Sequence, residues 1–136
     1  MDKMIMDTTL ERTYRGNGQH AEQMFRFTLT GEVCKADNVP FWVAADCLDF
    51  QVKSARATVC RGTDIAAHIA RDAANRYAYV ISDFSMAYIM TPTEWLEFTT
   101  LFSEVTRDSQ KNGGHIKTKL RKESKAMREW LESHSC

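Results

Sequence analysis

Proline, glycine and long apolar runs are all scarce in this chain of 136 residues. It contains two prolines and six glycines, too few for a collagen-like or low-complexity sequence. No run approaches the roughly 18 consecutive apolar residues that a membrane-spanning helix needs, and the first residues lack the apolar stretch of a signal peptide. With 43% hydrophobic residues, the composition predicts a single cytoplasmic domain over residues 1–136, without a membrane partner.

The cysteines also lack the spacing that marks a metal or redox site. The four are Cys34, Cys47, Cys60 and Cys136. None forms a C-x-x-C pair or lies beside two histidines, which argues against a structural zinc site and favours reduced thiols.

An excess of one charge is absent from the chain as a whole but present locally. The formal net charge is zero. Residues 107–136 nevertheless contain eight bases and four acids, a net charge of +4, so residues 1–106 carry −4. A basic tail on an acidic body suits a phosphate backbone, while a solvated helix face is the alternative interpretation.

Apolar periodicity predicts an α+β (mixed α/β) fold with a central mixed sheet of about five strands flanked by helices. Residues 1–18 are expected to be a mobile lead-in, followed by a helix over Gln19–Thr30 that Gly31 ends. The predicted strands are 32–35, 39–44, 48–59, 77–82 and 86–90. A crossover helix capped by Thr63 or Asp64 separates the third from the fourth.

Two helices are predicted at the C-terminal end. Thr91-Pro92-Thr93-Glu94 is a capping box with proline at the first helical position, and the apolar stripe of that helix extends to Val105. After a loop over Asp108–His115, a basic helix is expected over Lys117–Ser133.

The strand Asp49-Phe50-Gln51-Val52-Lys53 carries the most informative polar residues. Period two places Asp49, Gln51 and Lys53 on one face of the strand. Lysine is almost never fully buried unless it is paired. If the preceding strand folds back near Asp46, residues 37–38 lie opposite residues 52–54, and Asp37 joins this face.

This order of elements, with Glu22 on the first helix, Ala36-Asp37 at the hairpin and Gln51-Val52-Lys53 on the strand, resembles the PD-(D/E)XK nuclease superfamily. The resemblance covers residues 18–82 and implies a restriction-endonuclease-like core that hydrolyses DNA with Mg²⁺ or Mn²⁺. It implies Asp37 as a metal ligand, Gln51 as a carbonyl ligand, Lys53 as the water-activating residue and Glu22 as an auxiliary acid.

The sequence departs from that family where Gln51 replaces the usual acid and where Ala36 precedes Asp37. Asp49 shares the face of Gln51 and could supply the missing charge as a metal ligand, and Asp46 is a competing acid. The structural alternative is that Lys53 is an ordinary strand lysine, ion-paired with Asp49 or Asp37.

Further residues are candidates for contact with a nucleic acid. They are Ser54, Arg56, Lys117, Lys119, Arg121 and Lys122. Asp64, His68 and Asp72 fall four residues apart on the crossover helix, where an exposed face is favoured over a metal site.

The leading hypothesis is therefore a small magnesium-dependent endonuclease, in a phage or another mobile element, that forms a homodimer if it cuts both strands. The alternative is an inactive nuclease-fold protein that binds nucleic acid or a partner protein without cleavage.

Overall fold

A computed structural model describes residues 1–12, 16–32, 42–45, 47–107 and 114–135. In chain order the elements are β1 (Asp2–Ile5), α1 (Asn17–Thr30), β2 (Trp42–Ala45), β3 (Leu48–Ser54), β4 (Thr58–Arg61), α2 (Ile65–Asp72), β5 (Arg76–Val80), β6 (Met86–Met90), α3 (Pro92–Phe102), β7 (Ser103–Arg107), β8 (Ile116–Leu120) and α4 (Lys125–Ser133). The predicted α+β class and the five-stranded mixed sheet are confirmed.

The larger sheet has the strand order β1-β6-β5-β3-β2. Neighbouring strands are antiparallel except β3 and β5, which run parallel, with α2 lying between them in the chain. A parallel pair requires a crossover of this kind because a tight hairpin reverses the chain direction. The helix, hairpin, crossover helix and parallel strand therefore follow in the predicted order.

The two faces of this sheet bury separate apolar clusters. Phe50 and Val52 of β3 pack with Phe25 of α1 on one face, where the Phe25 and Phe50 rings lie 5.4 Å apart. Tyr77 and Tyr79 of β5 belong to the cluster on the other face, together with apolar residues of α3 and α4. Burial on both faces explains why the central strands are rich in apolar and aromatic residues.

The expected mobile lead-in over residues 1–18 is wrong in its first part. Asp2–Ile5 forms β1, which pairs antiparallel with β6 at the edge of the larger sheet. Met6 then enters the core, and its amide donates to the Ser85 carbonyl. Backbone pairing and the burial of Met6 stabilise a segment whose own apolar pattern is short.

The strand predicted over residues 48–59 is two strands in two different sheets. The chain turns after Ser54, whose carbonyl accepts from the Ala57 amide, and Arg56 adopts a φ of 64°. β4 then joins a three-stranded sheet of order β4-β8-β7. The apolar positions change from even numbers (Leu48, Phe50, Val52) to odd numbers (Ala55, Ala57, Val59) at the turn, so the alternation shifts phase where the strand breaks.

The basic helix predicted over Lys117–Ser133 begins only at Lys125. Ile116–Leu120 is β8, the central strand of the smaller sheet. Its alternation of apolar or small residues with lysines has period two, and Thr118 and Leu120 are buried. Ser124 caps α4 by accepting from the Met127 amide, which places the helix start eight residues later than expected.

The capping box of α3 is confirmed, with both reciprocal hydrogen bonds between Thr91 and Glu94 present. The helix ends at Phe102, so Val105 lies on β7 and not on a helical stripe. The strand predicted over residues 32–35 and the loop over 108–115 fall mostly outside the described residues. No helix in the described part of the chain combines the length and apolarity needed to cross a bilayer.

Candidate active site

The alternation of β3 separates its polar side chains from its apolar ones, as the sequence predicts. Phe50 and Val52 are buried, whereas Gln51 and Lys53 are half-buried and Asp49 is exposed. In the parallel register, Gln51 lies beside Tyr77 and Lys53 beside Tyr79. The polar side chains of β3 therefore share the sheet face that α3 and α4 cover, on the side opposite α1.

A cleft of about 270 Å³ opens at the start of β3, against the end of α2. Its lining residues are Asp49, Phe50, Gln51, Asp72, Ala73 and Ala74. Asn75 holds this corner together, because the Asp49 amide donates to Asn75 Oδ1 at 2.8 Å and the Asn75 amide donates to the Asp49 carbonyl at 3.0 Å. Asp49, Gln51 and Asp72 therefore line one cleft.

Lys53 extends this polar face toward the smaller sheet. Its Nζ donates to the Thr58 carbonyl at 3.3 Å. Burial lowers the pKa of the Lys53 ammonium, and the negative charge of Asp72 acts in the opposite direction. Desolvation penalises the charged form of an amine, so Lys53 releases a proton more readily than an exposed lysine.

Asp72 is the residue around which the polar contacts of this site are organised. The Tyr77 hydroxyl donates to Asp72 Oδ2 at 3.1 Å, and His68 Nε2 lies 3.4 Å from the same oxygen. Burial, followed by the Asp72 charge, raises the pKa of Tyr77 and keeps its hydroxyl protonated as a donor. Both contacts use Oδ2.

The carboxylate that acts on Lys53 was not predicted to do so. The sequence predicts Asp49 or Asp37 as the ion-pair partner of Lys53 and an exposed helix face for Asp72. A right-handed crossover between parallel strands returns the chain to the start of the first strand. That rule is the signal that could have placed the last residue of α2 beside Asp49 and Gln51.

Glu22 does not join these residues, contrary to its predicted role as an auxiliary acid. It lies on α1, which packs against the Phe50 and Val52 face of the sheet, and its side chain is 1% exposed. Arg26 Nη2 is 2.6 Å from Glu22 Oε1. The intervening sheet separates this ion pair from Lys53.

The remaining predicted acidic ligands are Asp37, Asp46 and Asp49, of which the structure describes Asp49. Asp37 and Asp46 lie outside the described residues, and so does the pairing expected between residues 37–38 and 52–54. In the part of the chain that the structure describes, no group of three or more histidine, cysteine, aspartate or glutamate side chains is placed to hold a metal. Asp64 caps α2 by accepting from the Ala67 amide, whereas Asp72 contacts Tyr77 and His68.

The predicted nucleic-acid contacts lie mainly on and around the smaller sheet. Ser54 ends β3 and Arg56 is exposed in the turn that follows. Lys117 and Lys119 are on β8, whereas Arg121 and Lys122 follow it as exposed residues. The Arg121 Nε donates to the Ser103 carbonyl at 3.3 Å, which ties its side chain to the start of β7.

Comparison with protein-family models, curated proteins and solved structures finds no match to this chain.

Proposed function

We propose that the chain is a metal-dependent nuclease that hydrolyses DNA in the cleft formed by Asp49, Gln51 and Asp72, with Lys53 beside it. The observation that carries the proposal is the desolvated amine of Lys53 on the same sheet face as Asp49 and Gln51, with Asp72 of α2 lining the same cleft as these two residues. Such a combination is costly to fold, because burying charge is unfavourable unless it is compensated. Functional sites are where perturbed lysines of this kind concentrate.

The donor set suits a hard divalent cation. Mg²⁺ prefers oxygen ligands and is commonly held by one or two carboxylates while it keeps several waters. Asp49 and Asp72 would supply the carboxylates and Gln51 an amide oxygen, with Asp72 providing the negative charge that Gln51 lacks. A bound Mg²⁺ or Mn²⁺ would neutralise charge on the phosphate and acidify a water.

Lys53 would act on the attacking water. Its lowered pKa increases the fraction of neutral amine, which can accept a proton, and its ammonium form can orient the water or stabilise the developing negative charge. The Tyr77 hydroxyl and His68 hold Asp72 Oδ2, so these two residues position the carboxylate without contacting the substrate.

The test is cleavage of supercoiled plasmid with Mg²⁺ or Mn²⁺. We expect cleavage that EDTA stops and that Lys53→Met slows by at least about 100-fold. Lys3→Met is the matched control, because Lys3 is also a strand lysine but pairs with Glu132 at the edge of the sheet. Cleavage that survives Lys53→Met would contradict the mechanism.

The melting temperature distinguishes loss of activity through unfolding from loss of the Lys53 amine. Methionine keeps the aliphatic volume of lysine, and the removal of a desolvated charge offsets the loss of the long hydrogen bond to the Thr58 carbonyl, so Lys53→Met should melt close to the wild type. A lower melting temperature for Lys53→Met would remove its activity result from consideration, and Asp72→Asn then provides the second inactive variant.

The second candidate is a nuclease-fold protein that binds DNA, or a protein partner, without cutting. Gln51 favours it, because a neutral ligand in place of a carboxylate weakens metal binding. Salt-dependent DNA binding with no cleavage in Mg²⁺ or Mn²⁺ would support this candidate.

For the first candidate, the nuclease, we expect a homodimer if both DNA strands are cut.

A further inference from the structure

The three-stranded sheet β4-β8-β7 has one charged face and one face that is buried at its centre but leaves Val105 and Ile116 exposed. Leu120, Thr118 and Cys60 lie on the buried side. The register pairs Lys117 with Arg61 and Thr106, and Lys119 with Thr58 and Glu104. Directly paired residues share a face, so three cations, two threonines and one acid lie together on the other side.

The spacing on this face suits a row of phosphates. Residues two apart on a strand are separated by about 7 Å and neighbouring strands by about 5 Å, so Arg61, Lys117 and Lys119 form a compact triangle. Each strand of duplex DNA carries one negative charge per roughly 3.4 Å along the axis. The long side chains of the triangle can therefore reach several consecutive phosphates, and the hydroxyl of the exposed Thr58 can add a neutral hydrogen bond.

This charged face adjoins the candidate active site. Thr58 begins β4 and faces the same way as Lys119, and its carbonyl accepts the hydrogen bond from Lys53 Nζ. Arg56, in the turn between β3 and β4, is exposed at the junction. A backbone bound across the smaller sheet would therefore continue toward Lys53.

The basic residues of α4 occupy a different environment. Lys125 and Arg128 line a cleft that also contains Glu123, Glu129 and Glu132. Lys125 Nζ lies 3.8 Å from Glu129 Oε1. Three carboxylates in the same cleft oppose the approach of a polyanion, although both helix residues belong to the basic tail of the sequence.

We propose that duplex DNA binds through its phosphates to the face of the smaller sheet that carries Arg61, Lys117 and Lys119, and that the bases of α4 do not contribute. The inference rests on the proposed function for its choice of ligand. The basic tail of the sequence then has two parts: β8, whose lysines bind phosphate, and α4, whose bases lie among carboxylates.

The experiment compares Lys117→Gln/Lys119→Gln with Lys125→Gln/Arg128→Gln, each of which removes two positive charges. Binding to a 20-base-pair duplex is measured between low and physiological salt, in EDTA so that cleavage does not intervene. The slope of log binding constant against log salt concentration should decrease in magnitude by about 2 for the sheet variant. For the helix variant the slope should stay unchanged. Lys117→Arg/Lys119→Arg should retain binding, because it keeps the charge.

The possible outcomes separate this inference from the proposed function. Equal loss in both glutamine variants, or loss only in the helix variant, would overturn the sheet surface while leaving DNA binding intact. A wild type that neither binds nor cleaves DNA would overturn the proposed function itself. Salt-dependent binding of polyglutamate without DNA binding, abolished by Lys117→Gln/Lys119→Gln, would identify an acidic protein as the partner and overturn the inference.

Discussion

Glu22 shows at the scale of one residue how burial changes the behaviour of an acid. Its side chain is almost completely buried, and apart from the ion pair of Oε1 with Arg26 its carboxylate oxygens have no hydrogen-bond partner among the described residues. Burial raises the pKa of Glu22 to about 7, although the charge of Arg26 works against this increase. The ion pair alone therefore does not compensate for the lost hydration.

This raised pKa predicts a pH-dependent effect of Glu22→Gln. The folded protein keeps a proton on Glu22 that the unfolded chain releases above about pH 4.5, so the stability contributed by the protonated carboxyl is lost as pH rises through 7. Glutamine cannot ionise, so the variant should be about 1–3 kcal/mol more stable than the wild type at pH 8 and about equal at pH 5. Urea unfolding at the two pH values measures the difference.

Glu97→Gln is the control for this prediction, because Glu97 is an exposed glutamate on α3. It should change the free energy of unfolding little at either pH. A gain for Glu22→Gln that is the same at pH 5 and pH 8 would show that ionisation of Glu22 is not its source.

Residue-level prediction from the sequence was partly successful. The alternation that places Gln51 and Lys53 opposite Phe50 and Val52 depends only on strand geometry, and it is confirmed. The effect of the Asp72 charge on Lys53 was not predicted, because Asp72 is 19 residues away in the chain and approaches through the crossover. Glu22 was misplaced because sequence order does not say which face of the sheet a helix covers.

At the scale of elements, local signals were reliable where hydrogen bonds are local. Thr91 Oγ1 accepts from the Glu94 amide and Glu94 Oε1 accepts from the Thr91 amide, as the capping box predicts. Gly31 follows α1 with a φ of 75°, a left-handed conformation that glycine adopts without the cost of a Cβ. These features need only a few neighbouring residues.

The cap of α3 can be tested with Thr91→Ala. Removing the hydroxyl leaves the Glu94 amide without its acceptor, so we expect a loss of about 1 kcal/mol in the free energy of unfolding. Thr100→Ala is the matched control, since Thr100 is exposed on the same helix and its hydroxyl donates to the Leu96 carbonyl. That change should be neutral or slightly stabilising. Equal destabilisation by both substitutions would exclude a specific role for the cap.

β8 was missed for a physical reason that also operates at this scale. A short run with two lysines is compatible with a basic helix, and its strand form requires partners on both sides. Those partners are β4 and β7, which lie in sequence on opposite sides of α2, β5, β6 and α3. Only the assembled chain provides the carbonyl and amide groups that pair with this segment.

At the scale of the whole molecule, the larger sheet couples its two apolar clusters. Along β5, Tyr77 and Tyr79 belong to one cluster, whereas Ala78 and Val80 belong to the other. Neither cluster can lose its packing without disturbing the same strand. We therefore expect the two sides of the sheet to unfold together.

Phe25→Ala and Phe98→Ala test this coupling from opposite faces. Both side chains are fully buried, so each substitution should cost about 3–5 kcal/mol. Thermal unfolding followed by far-UV and near-UV circular dichroism should remain a single coincident transition in both variants. Separate transitions for the two signals in either variant would show that the clusters unfold independently.

The sequence by itself determined the α+β class, the capped helices and the two faces of β3, because these depend on residue spacing and on hydrogen bonds between near neighbours. Tertiary structure alone decided that Glu22 and Lys53 lie on opposite sides of the sheet, that Asp72 meets Asp49 and Gln51, and that part of the basic tail is a strand. Each of these outcomes depends on pairing or packing between distant segments. The balanced total charge likewise said little until the fold divided the bases between a sheet face and a helix surrounded by carboxylates.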